Sequence, residues 1–425
     1  MTSRTAPAIS DQHEAITRQQ WKWTSLAGMA SYLDAGAIVA LGSGLALFKS
    51  EMGLSNTVVG LLAAIGPNAV GCAIGAFVGG RLGDKLGRKR IYKWDLLVYA
   101  AAIIVIALAV HPAMLFAGAF VVGLAVGADV PTSLALVGEY APARGRGKLL
   151  GLTQVAWKLG PIIVLLLALA LSPFGLLGIR IVFLHLAVVA LITWALRRGM
   201  SESVRWKEAS SNVKVDRNFS ALFRGNNLKA LAYTGAIYLF MGLAAGTNGT
   251  FTPYIVRTIG ATSQATSVAL SCGGFVIGIF AVVLLFMRFS DRSFMARRTM
   301  WGVGATLQVL AYVSFLVLPF TIPTVILHLS LLAIGTATAG EATYKVFSQE
   351  LFPTMLRGTA QGFTFGIART ALGIWSFFVP ALASAGIEPV AWLLAGFVAV
   401  GGLIGFVFMP DTVGKPLEQI EAERA

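Results

Sequence analysis

Twelve apolar stretches, near 23–48, 57–79, 94–110, 113–137, 149–172, 177–196, 230–255, 264–287, 300–320, 323–349, 359–383 and 389–409, take up most of this chain. Each is close to the roughly 20 residues that carry an α-helix across a bilayer. In lipid a helix satisfies its own backbone polar groups, so these stretches predict an all-α membrane protein with twelve transmembrane helices. With 56% apolar and only 12% charged residues, a soluble domain is ruled out. The net charge of +14 does not point to nucleic acid, because nearly all of the 33 Lys and Arg fall in loops and tails on one side of the segmentation. Lys49, Arg180 and Arg257 fall on the other side, and Lys158, Lys345 and Arg369 fall inside apolar stretches. Such one-sided excess is topogenic and places both termini in the cytoplasm, beside the anionic face of the lipid bilayer. Cys72 and Cys272 lie in apolar helices and imply no disulfide framework. The first 20 residues are polar, so the first helix is expected to stay as an anchor.

The loops carry the next layer of information. Residues 80–90 read Gly-Arg-Leu-Gly-Asp-Lys-Leu-Gly-Arg-Lys-Arg, a turn too short for a domain. Its glycines let two helix ends approach closely, and Asp84 has several cations in reach. The stretch resembles the loop between helices 2 and 3 of the major facilitator superfamily, G-x-x-x-D-[RK]-x-G-[RK]-[RK], filled here by Gly80, Asp84, Lys85, Gly87, Arg88 and Lys89. A second pattern, E-x-x-P-x-x-x-R-G, occurs twice: from Glu139 through Arg146 after helix 4, and from Glu350 through Arg357 after helix 10. The loop before helix 9, beginning Asp291-Arg292, is a weaker echo of the 80–90 motif. The longest polar break starts Ser201-Glu-Ser-Val-Arg-Trp206, similar to the PESPRW box of sugar porters with both prolines replaced. The tail from Pro410 resembles their PETKG-x-x-L-E-E-I ending.

The resemblance spans nearly the whole chain and points to the sugar porter, or metabolite:proton symporter-like, branch. It implies two pseudo-symmetric six-helix bundles working by alternating access, with the residues named in these loop motifs as the conformational gate. The expected division is a cytoplasmic N-terminal tail at 1–20, one bundle at 21–198, a cytoplasmic linker at 199–228, the second bundle at 229–409 and a cytoplasmic tail at 410–425. A monomer in the inner or plasma membrane is expected.

No phosphate-binding loop and no metal-ligand spacing occurs, and the four His are scattered. ATP-driven transport and catalysis are therefore not expected, and the energy source is expected to be a proton gradient without any cofactor. The informative residues are the ionisable ones within apolar stretches: Asp34, Asp129, Lys158, Glu341, Lys345 and Arg369. At about 3 kcal/mol each on insertion scales, unpaired charges would be costly, so pairing around a wet central cavity is expected. Arg146 to Lys158 and Arg357 to Arg369 share one spacing, which gives the two cations equivalent places in the two halves, with Asp129 and Glu341 nearly equivalent.

Asp34, with no basic residue within a turn, is the leading proton carrier; the other reading is a fixed ion pair. Asp129 and Glu341 are secondary proton candidates, although Glu341 and Lys345 at i, i+4 can also satisfy each other, and Lys345 can snorkel. Gln154 shares a face with Lys158 and matches the sugar porters' helix-5 Gln, and Asn248 matches their helix-7 G-x-N. Gln154, Lys158, Asn248, Arg369 and Lys345 are the candidate substrate ligands. Trp157 and Trp375 can stack on a ring, or simply belong to the core. The helix-4 Arg that partners the helix-1 Asp in proton-coupled sugar porters is missing; Ala119 stands there, so Lys158 is expected to take its role. The expected substrate is a small polar metabolite (sugar, polyol or organic acid), moved by proton symport. The alternative is a proton-coupled antiporter exporting drugs or metabolites.

Overall fold

A computed structural model describes residues 15–67, 69–211, 218–259, 264–384 and 386–424. Their regular structure is entirely helical. The first span is α1 (Arg18–Met52). The second is α2 (Asn56–Ile65) with α3 (Val70–Leu86), and the third is α4 (Arg88–Tyr92) with α5 (Asp95–Ala107). The next three are α6 (Pro112–Tyr140), α7 (Arg146–Ala170) and α8 (Gly175–Arg197). After a short linker helix, α9 (Val204–Ser211), comes α10 (Gly225–Ile259). The eighth span is α11 (Gln264–Ala281), continued through a π-helical turn at Val282–Phe286 into α12 (Met287–Phe289). The ninth is α13 (Phe294–Val317), and the tenth is α14 (Ile322–Thr338) with α15 (Glu341–Glu350). Then follow α16 (Arg357–Ser384), α17 (Glu388–Val407) and a tail helix, α18 (Leu417–Arg424). Among the described residues nine helices are long and apolar enough to cross a membrane; the remaining three predicted spans are α2–α3, α5 and α16.

Two spans expected as continuous helices are broken. The second stops at Gly66, whose extended backbone (ψ −163°) is the conformation favoured before a proline, here Pro67. The tenth stops at Thr338 and restarts at Glu341, with Gly340 extended between them. A Cβ on Gly340 would lie 2.5 Å from the Thr336 carbonyl oxygen, so glycine is required there. The Ala339 carbonyl freed by the break accepts a hydrogen bond from Gln308 Nε2 at 2.6 Å. Nothing in the apolar pattern marks either interruption.

Packing is set by small residues, as expected where lipid supplies no hydrophobic drive between helices. The helix α3 is clamped between α6 of its own half and α16 of the other. On one side, a Cβ at Gly75 would lie 2.2 Å from the Leu124 carbonyl oxygen. On the other, a Cβ at Gly362 would lie 2.1 Å from the Ala76 carbonyl oxygen, and one at Gly80 2.2 Å from that of Gly358. The halves therefore meet backbone to backbone.

Where they meet, on the face that carries the start of α1 and the tail helix α18, two matching clusters of charge form. In the first, Asp84 accepts hydrogen bonds from the backbone N–H groups of Gly358 (3.1 Å) and Thr359 (2.7 Å) and from the Thr359 hydroxyl (2.7 Å), at the start of α16. Arg88 lies 3.0 Å from Asp84 and 2.8 Å from Glu139, and Arg357 lies 3.4 Å from Glu139. In the second, Asp291 accepts from the N–H groups of Gly147 (3.0 Å) and Lys148 (3.1 Å) at the start of α7. Glu350 there pairs with Arg146 and Arg297, both at 2.9 Å. Asp84 and Asp291 each sit at the N-terminus of a helix from the other half, where free N–H groups and the helix dipole favour an anion.

Three gating residues expected from the sequence fall outside these clusters. Arg292 is exposed beside the Phe289 ring, and the counterpart of Arg88 is Arg297. Lys85 and Lys89 are exposed, although the Lys89 backbone N–H donates to Glu202 at 3.0 Å. Gly87, at φ 95°, turns the chain where a side chain would be strained and would meet Glu202.

Two outcomes follow. Gly362→Leu is expected to separate α3 from α16 at an overpacking cost of about 1–3 kcal/mol, read as a lower melting temperature in detergent and greater labelling of cysteines placed at the closed face. Asp84→Asn is expected to slow substrate uptake at least fivefold while equilibrium binding stays within about twofold; equal turnover would contradict a gating role.

Candidate functional site

Behind the closed face, helices of both halves enclose a cavity of about 200 Å³. Its walls come from α1, α7, α10, α11, α13, α14, α15 and α16, and most lining residues are apolar. The polar exceptions are few: Gln154, Trp157, Lys158, Tyr238, Asn248, Ser271, Gln308, Thr336, Glu341 and Arg369. A mostly apolar chamber with a handful of placed polar groups is the usual form of a small-molecule site.

Asp34 is buried at the edge of this chamber, 1% exposed. Close packing brings α7 against it: a Cβ on Gly160 would lie 2.4 Å from the Tyr32 carbonyl oxygen. Trp157 thereby reaches Asp34, donating from Nε1 to Oδ2 at 3.3 Å. From the other half, Arg369 Nη2 approaches the same oxygen at 2.9 Å. The partner expected for Asp34 was Lys158; the structure supplies Arg369 instead. Sequence distance hid this contact, because α1 and α16 are brought together only by the assembled halves. Asp34 Oδ1 has no hydrogen-bond partner among the described residues. Arg369 also lies over the Phe365 ring, 4.7 Å from its centre.

Lys345 is placed differently from expectation. It does not line the chamber and does not snorkel; it is 1% exposed. Its Nζ lies 3.1 Å from Glu341 and donates to Gln154 Oε1 at 2.8 Å. It therefore joins α15 to α7 across the halves and fixes the orientation of Gln154. Glu341, at the start of α15, lines the chamber with its side chain 19% exposed. The Lys158 side chain also lines it and has no ion pair or hydrogen bond among the described residues. Asn248 faces the chamber and contacts His328 Nε2 at 3.1 Å.

Two further expectations are corrected. Asp129 does not face the chamber: it points into its own half, where Arg197 Nη1 meets its carboxylate oxygens at 2.9 and 2.8 Å and Ser133 donates at 2.6 Å. Arg197, the last residue of α8, is 2% exposed. Trp375 also stands outside the chamber, donating from Nε1 to Thr247 Oγ1 at 2.8 Å and packing on Phe397. Conversely, Gln308, Tyr238 and Thr336 line the site without having been singled out. Gln308 was discoverable as a lone amide within the apolar stretch 300–320. Its Oε1 is buried without a hydrogen-bond partner among the described residues.

The comparisons agree with this architecture. The profile of the Major Facilitator Superfamily matches residues 24–380. The minor myo-inositol transporter IolF of Bacillus subtilis is 39% identical over 95% of this chain and 93% of its own. The cis,cis-muconate transport protein of Acinetobacter baylyi is 27% identical over 94% and 93%. Among solved structures, the proton:xylose symporter XylE bound to 6-bromo-6-deoxy-D-glucose superposes with a TM-score of 0.84 at 18% identity, over 96% of this chain and 100% of the other. The chain belongs to the Major Facilitator Superfamily and is an integral membrane transporter rather than an enzyme.

Proposed function

We propose that this transporter carries a small polyhydroxylated metabolite, of the inositol and sugar kind, into the cell by proton symport, with the charged face, which carries the start of α1 and the tail helix α18, in the cytoplasm. The similarity to a myo-inositol transporter supports the substrate kind, and the likeness to a proton:xylose symporter supports the fold that would do it. The observation that carries the proton reading is the buried pair of Asp34 and Arg369, 2.9 Å apart at the chamber wall and made by opposite halves.

The coupling follows from the cost of a broken pair. While Asp34 is ionised, it compensates Arg369. A proton on Asp34 removes that compensation and leaves a buried guanidinium, a change on the order of 3–5 kcal/mol when a buried pair loses one partner. Substrate hydroxyls in the chamber offset part of this by accepting from Arg369. Proton and substrate then bind better together than either does alone, which is the thermodynamic requirement for symport. With both bound, the attraction between α1 and α16 is weakened and the halves can rock apart at the closed face. Gln154, Asn248 and Gln308 supply the amide donors and acceptors that read the hydroxyls, and Trp157 offers an apolar ring face beside Asp34.

Two measurements test this reading. In proteoliposomes, Asp34→Asn is expected to cut pH-gradient-driven accumulation of labelled myo-inositol at least tenfold while substrate exchange at equal pH persists. Unchanged accumulation would remove Asp34 from coupling. In a double-mutant cycle on melting temperature, Arg369→Gln alone is expected to destabilise the protein, and adding Asp34→Asn is expected to restore part of the loss, because the second change removes the stranded carboxylate. Strict additivity would show that the pair does not act as a unit.

A further inference from the structure

Charge around the chamber does not balance, and the excess sits on one atom. Arg369 is matched by Asp34 at 2.9 Å, and Lys345 by Glu341 at 3.1 Å. Lys158 remains: it is 6% exposed and has no ion pair or hydrogen bond among the described residues. Its stem reaches from α7 across to α11, and its head rests where Gly278 leaves room; a Cβ on Gly278 would lie 2.9 Å from Nζ. One turn earlier on α7, Gln154 has its carbonyl oxygen taken by Lys345, which leaves its amide N–H groups as donors at the chamber wall. An ammonium and an amide donor thus stand side by side, facing the cavity.

A cation held near mid-membrane costs about 3 kcal/mol on insertion scales, and Lys158, whose neighbouring carboxylate Glu341 is already paired with Lys345, leaves one positive charge to be compensated by water or by what binds there. A hydroxyl offers the ammonium only a neutral acceptor. A carboxylate offers a charge-assisted hydrogen bond, roughly twice as strong. The site has one such cation, so a second carboxylate on the substrate would go unmatched, and its remaining polar groups are amides suited to hydroxyls. We infer that the preferred substrate is a polyhydroxylated monocarboxylate, a sugar acid of the hexuronate or aldonate kind, with its carboxylate on Lys158 and its hydroxyls on Gln154, Asn248 and Gln308. This rests on the symport reading and narrows the substrate class of the same chamber. It also fixes the charge moved: one proton with a neutral polyol carries a net positive charge inward, whereas one proton with a monocarboxylate carries none.

The experiment compares D-glucuronate, D-glucose and myo-inositol as labelled substrates in proteoliposomes, with a potential imposed by potassium and valinomycin. The wild type is expected to take up glucuronate with a kcat/KM at least tenfold above that for glucose, and the potential should leave glucuronate uptake unchanged while accelerating myo-inositol uptake. Lys158→Met should lower the glucuronate-to-glucose ratio at least tenfold, and Lys158→Arg should keep most of it. If glucuronate is neither transported nor able to compete while myo-inositol uptake is proton-driven, the sugar-acid inference falls and the symport reading stands. If glucuronate enters with the stated preference but ignores the pH gradient and Asp34→Asn, the inference stands and the symport reading falls. An unmoved ratio in Lys158→Met would also overturn the assignment.

Discussion

Two carboxylates holding the first amides of helices from opposite halves are what the rest of this structure depends on. Asp84 grips the start of α16, and Asp291 grips the start of α7. They hold the two halves together at the charged face, behind which the chamber lies. The choice of interaction matters. Backbone amides at a helix N-terminus give directional, charge-assisted bonds that are strong while water is excluded. In the proposed cycle, when the halves separate, the same groups lie at a surface where water can replace each partner. Apolar packing of equal strength would lack that reversibility. The glycine contacts of α3 with α16 serve the same end, because backbones in direct contact leave no side chains to interlock.

The helix α16 connects the two ends of the mechanism. Its first residues bind Asp84, and Arg369, three turns further along, pairs with Asp34 at the chamber. About 17 Å of continuous helix separates them at 1.5 Å per residue. On the proposed mechanism, a change in the charge of Asp34 acts on the same helix that Asp84 holds. In a similar way, Lys345 joins the lower part of the broken tenth span to Gln154, and Gln308 holds the carbonyl at the break itself. The chamber is built where helices end, and groups at its wall are also groups that fix those ends.

Much of this was legible in the residues. Length and apolarity gave the spans, and repeated loop patterns located Asp84, Glu139, Arg146, Asp291, Glu350 and Arg357 at the contact between halves. Asp34, Gln154, Lys158, Asn248, Glu341 and Arg369 stand at the chamber because polar side chains in apolar helices are kept only where something compensates them. What the sequence did not show was partnership. Matching spacing made Lys158 and Arg369 look equivalent, yet the assembled helices give one a carboxylate and leave the other to the cavity. Asp129 looked like the counterpart of Glu341, but its face of α6 turns toward Arg197, whose position at a helix end disguised it as a loop cation. The break at Gly340 was silent because its cost is met by an amide, Gln308, on another helix.

The second charge cluster has a member that the first lacks. Thr412, which follows the twelfth span, donates to Glu350 and accepts from Arg297, while Leu417 and Ile420 beside it are buried and Glu418 pairs with Arg205 of the linker at 2.7 Å. A residue at that place leaves the ribosome only after every span has been made. The closed face is therefore completed late in biosynthesis: a nascent chain holding eleven or twelve spans carries Arg297 and Glu350 without the hydroxyl that bridges them.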